Sequence, residues 1–248
     1  MASKPPHPPT PPTPAVLSDS GRKRMVKAPT RGDAAGRNIG ARLKTADTKS
    51  MSSQLWLNRQ INDPFVKAAR SHGYRSRAAF KLTEIDDKFH LIRKGCRIID
   101  LGCAPGGWVQ VAIERGAGKV VGIDLLPVDP IPPAILIEGD FTADDAEEML
   151  VGVLGGPPDL LLSDMAPNTI GHAQTDHLRI VGLVELAAHF AIEILPPGGA
   201  FVTKAFQGGE TAPLLKLLKA AFTDVKHFKP KASRSESSEL YLVATGRR

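Results

Sequence analysis

Beyond residue 94, short apolar runs alternate with longer amphipathic segments, and this alternation constrains the fold more than any other feature of the sequence. The predicted strands are 97–100, 119–124, 134–138, 160–163, 200–204, a strand near 225, and 239–244. Helical patterns over 106–114, 143–154, 178–195 and 213–222 separate them. Strands that are apolar throughout are buried on both faces, which is typical of parallel sheets covered by helices. We therefore predict an α/β, Rossmann-like fold with a mostly parallel seven-stranded sheet.

The excess of positive charge is concentrated at the N-terminus. Residues 1–50 hold ten Lys and Arg against three Asp, whereas residues 51–248 hold 22 basic and 23 acidic residues. Seven of the first 14 residues are proline, and residues 1–50 lack the hydrophobic periodicity that a packed structure needs. We predict a disordered, basic, Pro-rich tail over 1–50 and one domain over 51–248. The tail suits either attraction to a polyanion such as RNA or a purely solubilising role.

Composition argues against several other classes of protein. No apolar run reaches the roughly 18 uncharged residues that a membrane span needs, and the N-terminus lacks the apolar segment of a secretory signal. Cys96 and Cys103 cannot build a disulfide framework and lack the spacing of a metal site. We therefore expect a cytoplasmic protein without a metal centre.

His172, Asp176 and His177 lack further ligands for a metal ion, so we interpret their segment as a loop that covers the site.

A cluster of basic residues precedes the alternating region. Within the helical pattern of 54–80 these residues are Arg59, Lys67, Arg70, Arg75 and Arg77. Asp63 is the only acid in the same stretch, and Trp56, Phe65 and Tyr74 are interleaved with the bases. Basic residues combined with aromatic ones are typical of a surface that faces RNA. A solvated helix face is the alternative interpretation.

Polar residues end the predicted strands or directly follow them. They are Asp100, Asp124, Asp140, Asp164 and Lys204. In an open α/β sheet, ligands bind at the carboxyl ends of the strands. A single Asp at such a position is often a turn residue, but the whole set predicts a binding site along this edge.

The segment 100–108, Asp-Leu-Gly-Cys-Ala-Pro-Gly-Gly-Trp, predicts a cofactor-binding loop, because glycine lets the backbone approach a ligand closely. Asp124 follows about 20 residues later, where a carboxylate can accept both hydroxyls of a cofactor ribose. The glycine loop and Asp124 together fit NAD as well as S-adenosylmethionine. The spacing departs from Gly-x-Gly-x-x-Gly, and Pro105 lacks the N–H that a pyrophosphate would use, which favours S-adenosylmethionine. Asp140 is placed to accept the adenine amine.

Seven motifs follow one another from about residue 53 to the C-terminus. They are 74–82 (Tyr-Arg-Ser-Arg-Ala-Ala-Phe-Lys-Leu), 100–108, 124–127 (Asp-Leu-Leu-Pro), 139–141 (Gly-Asp-Phe), 163–168 (Ser-Asp-Met-Ala-Pro-Asn), 204–208 (Lys-Ala-Phe-Gln-Gly) and 235–247. Together they closely resemble the FtsJ/RrmJ family of ribose 2′-O-methyltransferases. The large-subunit rRNA branch is the most similar one. The branch that modifies the tRNA anticodon loop is the nearest alternative.

This resemblance implies a function and a set of residues. The reaction would be S-adenosylmethionine-dependent methylation of a uridine ribose 2′-hydroxyl in the A-loop of 23S rRNA, carried out by a monomer in support of ribosome assembly. Gly106 and Trp108 would contact the methionine end of the cofactor, Asp124 its ribose and Asp140 its adenine, with Asp164 also at the cofactor. The catalytic set would be Lys81, Asp164, Lys204 and Glu239.

In this set Lys204 would accept the proton of the ribose hydroxyl, since a neutral amine can act as a general base. Asp164 would orient Lys204, and Glu239 would position Lys81 or the ribose. Two rivals from other classes remain, an NAD-linked oxidoreductase and a non-catalytic RNA-binding protein of ribosome assembly. The absence of a Gly-x-Ser-x-Gly elbow and of a P-loop from the sequence argues against a hydrolase or an NTPase.

Overall fold

The computed structural model describes residues 62–166, 173–207 and 212–248. The helices in these ranges are α1 (Pro64–Ser71), α2 (Ala78–Phe89), α3 (Gly107–Glu114), α4 (Ala146–Leu154), α5 (Ala173–Ile194) and α6 (Ala212–Ala221). The strands are β1 (Arg97–Leu101), β2 (Lys119–Asp124), β3 (Ile135–Glu138), β4 (Leu160–Ser163), β5 (Ala200–Phe206), β6 (Phe222–Phe228) and β7 (Glu239–Arg247). The predicted tail over 1–50 lies outside the described residues.

The strands form one sheet in the order β3-β2-β1-β4-β5-β7-β6. Pairing is parallel from β3 to β5, while β7 runs antiparallel to both β5 and β6. This confirms the predicted Rossmann-like α/β fold and its mostly parallel seven-stranded sheet. The carboxyl ends of β1 to β5 all lie at one edge, which brings together the polar residues at or near these ends. Lys204 was predicted to end its strand, but β5 continues for two more residues, to Phe206.

Helices cover both faces of the sheet, and each strand divides its side chains between the two layers. On β1, Ile99 and Leu101 pack with α4, α5 and α6, whereas Ile98 packs with α2 and α3. On β7, Leu242 belongs to the first layer and Tyr241 to the second. Successive strand residues point to opposite faces, so residues two apart share a layer. Alternation therefore places Glu239 and Tyr241 on the α2/α3 side.

The N-terminal helical region is interrupted rather than continuous. Asp63 caps α1 through a hydrogen bond from the Phe65 N–H to its carboxylate (2.9 Å), with Pro64 at the first helical position. α2 then runs to Phe89, nine residues beyond the predicted limit at residue 80. Buried apolar side chains continue along one face of α2, which explains this extension.

Several further boundaries differ from the sequence prediction: α4 begins at Ala146 instead of 143, and β5 and β7 extend to Phe206 and Arg247 instead of 204 and 244. Helix α6 ends at Ala221, and Phe222 begins β6, where it is fully buried and pairs with Arg247. Pairing and burial thus override the helical periodicity that placed Phe222 in the helix. Helix α5 begins at residue 173 instead of 178.

Across the described ranges, no helix combines the length and the apolar character that a membrane crossing needs.

Candidate active site

The glycine loop joins the end of β1 to the start of α3, as the sequence predicted. Gly106 is the N-cap of α3 and has φ of 107°, a value that L-residues with side chains rarely adopt. A Cβ at this position would also meet Cδ1 of Ile131, so the Ile131 side chain would have to shift if another residue stood here. The backbone of this loop can therefore approach a ligand closely.

Asp124 ends β2, and Asp140 lies two residues after the end of the neighbouring strand β3. Asp124 accepts hydrogen bonds from the Ala104 N–H (2.8 Å) and the Leu126 N–H (2.9 Å), one on each carboxylate oxygen. Asp140 is exposed and accepts bonds from the backbone and hydroxyl of Thr142, which lower the pKa of its carboxyl group. Both carboxylates are held in fixed orientations and have further lone pairs for ligand hydroxyl or amine groups.

Asp100 is the most unusual carboxyl group of the site. Its side chain is 1% exposed, and within 62–166, 173–207 and 212–248 neither carboxyl oxygen has a hydrogen-bond partner. Burial, reinforced by the charges of Asp164 and Asp124, raises its pKa well above the usual value. A buried polar group without a partner is costly, and this one lines the cavity next to the glycine loop. Asp100 is therefore ready to bind a donor or a cation from a ligand.

Lys81, Asp164, Lys204 and Glu239 come together although they lie on four different segments. The Lys204 Nζ donates to the backbone oxygen of Asp164 (2.6 Å) and lies 3.2 Å from its carboxylate. The Lys81 Nζ lies 2.8 Å from the Glu239 carboxylate and 3.9 Å from that of Asp164. Asp164 thus lies between the two lysines. The four side chains form one continuous chain of ion pairs with balanced charge.

The sheet register explains how distant segments meet. Lys204 on β5 pairs with Tyr241 on β7, and Phe206 pairs with Glu239. Lys204 lies two residues after Val202, which packs in the α2/α3 layer, and alternation places Lys204 on that side. Lys81 belongs to α2, which covers the same face. Strand pairing and helix packing together bring the four groups within ion-pair distance.

Tyr241 is a member of the site that sequence reasoning missed. Its ring is fully buried, and its hydroxyl donates to the Asp164 carboxylate (2.7 Å). The Lys81 Nζ lies 5.6 Å from the ring centroid. The sequence did contain a signal for this residue. Side chains alternate between the two faces of a strand, so Tyr241 is expected on the same face as Glu239, two residues earlier on the predicted terminal strand. Ser233 was also missed, and its hydroxyl donates to Glu239 (2.7 Å).

Trp108 connects the glycine loop to this ion-pair chain. Its indole is 3% exposed and donates to the Ala78 carbonyl (2.8 Å), which fixes the ring at the start of α3. The ring centroid lies 5.7 Å from that of Tyr241. Trp108 therefore lies between the glycine loop, which directly precedes it, and Tyr241 beside the ion-pair chain.

One cavity of about 340 Å³ spans both ends. Its walls include Asp100, Cys103, Trp108, Lys81, Asp164 and Glu239. Of the predicted site residues, four do not line it directly: Gly106, Asp124, Asp140 and Lys204. Lys204 nevertheless contacts Asp164 in the cavity wall. The cavity allows a ligand at the glycine loop to reach the ion-pair chain.

The predicted basic patch divides into residues with different surroundings. Lys67 and Arg70 are exposed on α1, whereas Arg77 forms an ion pair with Asp63 and donates to the Ala232 carbonyl. Arg75 donates to three backbone carbonyls beside the glycine loop. Arg59 lies outside the described residues, as do His172 and the side chains of Asp176 and His177.

The topology and the site together define a class. An α/β sheet with an antiparallel β7 between β5 and β6, and a glycine loop that follows β1, has the Rossmann-like methyltransferase architecture. Comparison with known proteins narrows this class to one family. The sequence pattern of the FtsJ-like methyltransferases matches residues 74–247, and the chain belongs to this family.

Individual relatives agree with the family assignment. A Caulobacter vibrioides protein named ribosomal RNA large subunit methyltransferase E is 66% identical over 90% of this chain and 98% of its own. A protein of the same name from Granulibacter bethesdensis is 63% identical over 82% of this chain and 89% of its own. A Plasmodium falciparum crystal structure described as a ribosomal RNA methyltransferase has a TM-score of 0.64 and 36% identity, covering 70% of this chain and 98% of that one.

Proposed function

We propose that this methyltransferase transfers a methyl group from S-adenosylmethionine to the ribose 2′-hydroxyl of a uridine in the A-loop of 23S rRNA, in support of ribosome assembly. The observation that carries the proposal is the Lys204–Asp164–Lys81–Glu239 chain beside a cavity that the glycine loop also lines. Two lysines and two carboxylates in this arrangement can bind a polar substrate, and a lysine in its neutral form can accept the proton of that substrate.

The residues at the glycine loop fit S-adenosylmethionine. The buried, unpartnered carboxyl group of Asp100 suits the ammonium of the methionine end, because it lines the same cavity as Trp108. Gly106 would contact the same end through the backbone of the glycine loop. Asp124 would hold the ribose hydroxyls and Asp140 the adenine amine, since each carboxylate has free lone pairs at the strand edge. When bound, this cofactor supplies a methyl group already activated by its positively charged sulfur.

Lys204 would act as the proton acceptor for the ribose hydroxyl. A neutral amine at Nζ has a lone pair for the hydroxyl proton, and the resulting ammonium would be stabilised by two oxygens of Asp164, at 2.6 and 3.2 Å. Tyr241 holds Asp164 from the buried side, so the carboxylate cannot turn away from Lys204. Lys81, fixed by Glu239, would orient the ribose next to the cavity.

The choice of RNA substrate rests on similarity rather than on the geometry of the pocket. Two Caulobacter relatives that are 66% and 63% identical carry the name ribosomal RNA large subunit methyltransferase E, and the match covers 98% of the length of each. Exposed Lys67 and Arg70 on α1 would contribute attraction to the phosphates, together with the basic tail. A tRNA ribose is the alternative substrate within the family.

Two measurements test the proposal. Calorimetry with S-adenosylmethionine and with NAD separates a methyltransferase site from an oxidoreductase site, and only S-adenosylmethionine should bind. Mapping 2′-O-methylation across total RNA, with and without the protein, then identifies the substrate. We expect one additional mark in the A-loop of 23S rRNA. A new mark in tRNA alone would refute the substrate, and the lack of any mark would favour a non-catalytic RNA-binding protein.

A further inference from the structure

The connection between β2 and β3 is rich in proline and packs against the glycine loop. Residues 125–134 include Pro127, Pro130, Pro132 and Pro133, which have no backbone N–H. The ten residues therefore offer ten carbonyl acceptors but six N–H donors. Some of these carbonyls can accept hydrogen bonds from other parts of the chain.

Arg75 donates hydrogen bonds to two of these carbonyls. Its Nη1 lies 2.6 Å from the Asp129 carbonyl oxygen, and its Nη2 lies 3.0 Å from that of Pro130. The same Nη1 also donates to the carbonyl of Pro105 in the glycine loop (3.2 Å). Guanidinium has a planar fork of donors and no acceptor, which suits this set of carbonyls. One side chain thus joins the 125–134 connection to the glycine loop.

The backbone around Arg75 is itself anchored to α3. The Arg75 N–H donates to the side-chain oxygen of Gln110 (2.8 Å), and the Gln110 amide donates to the Gly73 carbonyl (2.9 Å). The hydroxyl of Tyr74 donates to Glu114 on the same helix (2.6 Å). These three hydrogen bonds hold the backbone around Arg75 against α3, the helix that follows the glycine loop. They therefore also fix the position of the Arg75 guanidinium relative to α3.

The 125–134 connection contacts the predicted cofactor loop directly. Cδ1 of Ile131 occupies the space over Gly106, where a Cβ would meet it at 2.3 Å. The connection begins directly after Asp124, whose carboxylate accepts from the Ala104 and Leu126 N–H groups. Any movement of residues 129–131 would disturb the backbone of 104–106 and the setting of Asp124.

We infer that Arg75 is a positioning residue for the S-adenosylmethionine site, because it clamps the 125–134 connection onto the glycine loop. The inference rests on the proposed cofactor, and it assigns Arg75 a role different from RNA contact, which the sequence alone favoured. Arg75 acts through Pro105, Asp129 and Pro130 rather than by touching the reacting atoms.

The test compares Arg75→Ala and Arg75→Lys with Arg70→Ala, which removes an exposed arginine from the neighbouring helix. Calorimetry measures affinity for S-adenosylmethionine, and filter binding measures affinity for purified 23S rRNA. We expect both Arg75 variants to lose cofactor affinity by roughly tenfold to a hundredfold, because a binding loop that is no longer preorganised must be ordered when the ligand binds. The affinity of both Arg75 variants for rRNA should stay at the wild-type value. Arg70→Ala should keep the wild-type affinity for the cofactor.

The Arg75→Lys variant shows whether the hydrogen bonds of the Arg75 guanidinium, or only its positive charge, hold the 125–134 connection in place. Lysine keeps the charge but lacks the planar fork, so wild-type cofactor affinity in this variant would overturn the inference. Loss of rRNA affinity with cofactor affinity unchanged in Arg75→Ala would also overturn it.

Amide hydrogen exchange of cofactor-free protein provides a readout independent of the cofactor. Exchange in the 125–134 peptide should accelerate in both Arg75 variants, while the peptides of β1 and β4 stay protected. Unchanged exchange in 125–134 would contradict the clamp. If the wild-type protein failed to bind S-adenosylmethionine, the proposed cofactor would be wrong, and this exchange measurement would still decide whether Arg75 holds the connection.

Discussion

Replacing Tyr241 with Phe removes one buried hydroxyl and leaves the ring in place. The hydroxyl donates to the Asp164 carboxylate at 2.7 Å, and the side chain is fully buried. A hydrogen bond to a charged group contributes about 1.5–3 kcal/mol to stability. For a domain of this size, each kcal/mol corresponds to roughly 2–4 °C in Tm, so we expect Tyr241→Phe to lower Tm by roughly 3–12 °C.

Tyr74 provides the matched control, since the chain contains two tyrosines. Its hydroxyl donates to Glu114 at 2.6 Å, but Glu114 is exposed and Tyr74 is only half-buried. We expect Tyr74→Phe to lower the free energy of unfolding by about 0–1 kcal/mol, because exposed interactions with carboxylates contribute little. Urea denaturation of both variants measures the difference. If Tyr241→Phe and Tyr74→Phe lowered the free energy of unfolding equally, the buried Tyr241–Asp164 hydrogen bond would not have the larger contribution that we expect.

The same substitution should affect catalysis through Asp164. Without the Tyr241 hydroxyl, the carboxylate keeps Lys204 at 3.2 Å and Lys81 at 3.9 Å but loses its buried anchor. We expect kcat of Tyr241→Phe to fall about tenfold, less than the 10²–10⁴-fold typical for loss of a general base. The KM for S-adenosylmethionine should not change. An unchanged kcat would contradict the orienting role of Tyr241.

Two further substitutions test the carboxyl groups at the strand ends. Asp100→Asn should stabilise the protein increasingly as pH rises above about 4, because the raised pKa of Asp100 means that the folded state retains a proton that the unfolded state loses. Urea denaturation from pH 4 to 8 measures this trend, and a pH-independent difference from wild type would contradict it. Asp140→Ala should weaken S-adenosylmethionine binding roughly tenfold by calorimetry, and unchanged affinity would remove Asp140 from the cofactor site.

The sequence predicted the fold because strand and helix patterns depend mainly on local periodicity. The boundary at Phe222 was placed wrongly, since burial against the sheet and pairing with Arg247 are tertiary effects. The strand-end acids were identifiable as a set because a parallel sheet places all carboxyl ends at one edge. The burial of Asp100 was not identifiable, because it depends on how loops pack above it.

Arg75 illustrates why charge patterns in a sequence are ambiguous. The spacing of Arg75 and Arg77 indicates a basic patch, but not the direction in which each guanidinium points. In the structure both donate to backbone carbonyls of distant segments, Asp129 and Ala232 among them. The partners lie 54 and 155 residues away along the chain, so local patterns could not reveal these bonds.

The most direct test of the account is product analysis with a labelled methyl donor and 23S rRNA, followed by digestion to nucleosides. Wild-type protein should yield labelled 2′-O-methyluridine, whereas Lys204→Ala should bind S-adenosylmethionine normally and lose 10²–10⁴-fold in the rate of transfer. A base-methylated product would contradict ribose chemistry. Transfer by Lys204→Ala at the wild-type rate would contradict the central claim that Lys204 accepts the proton.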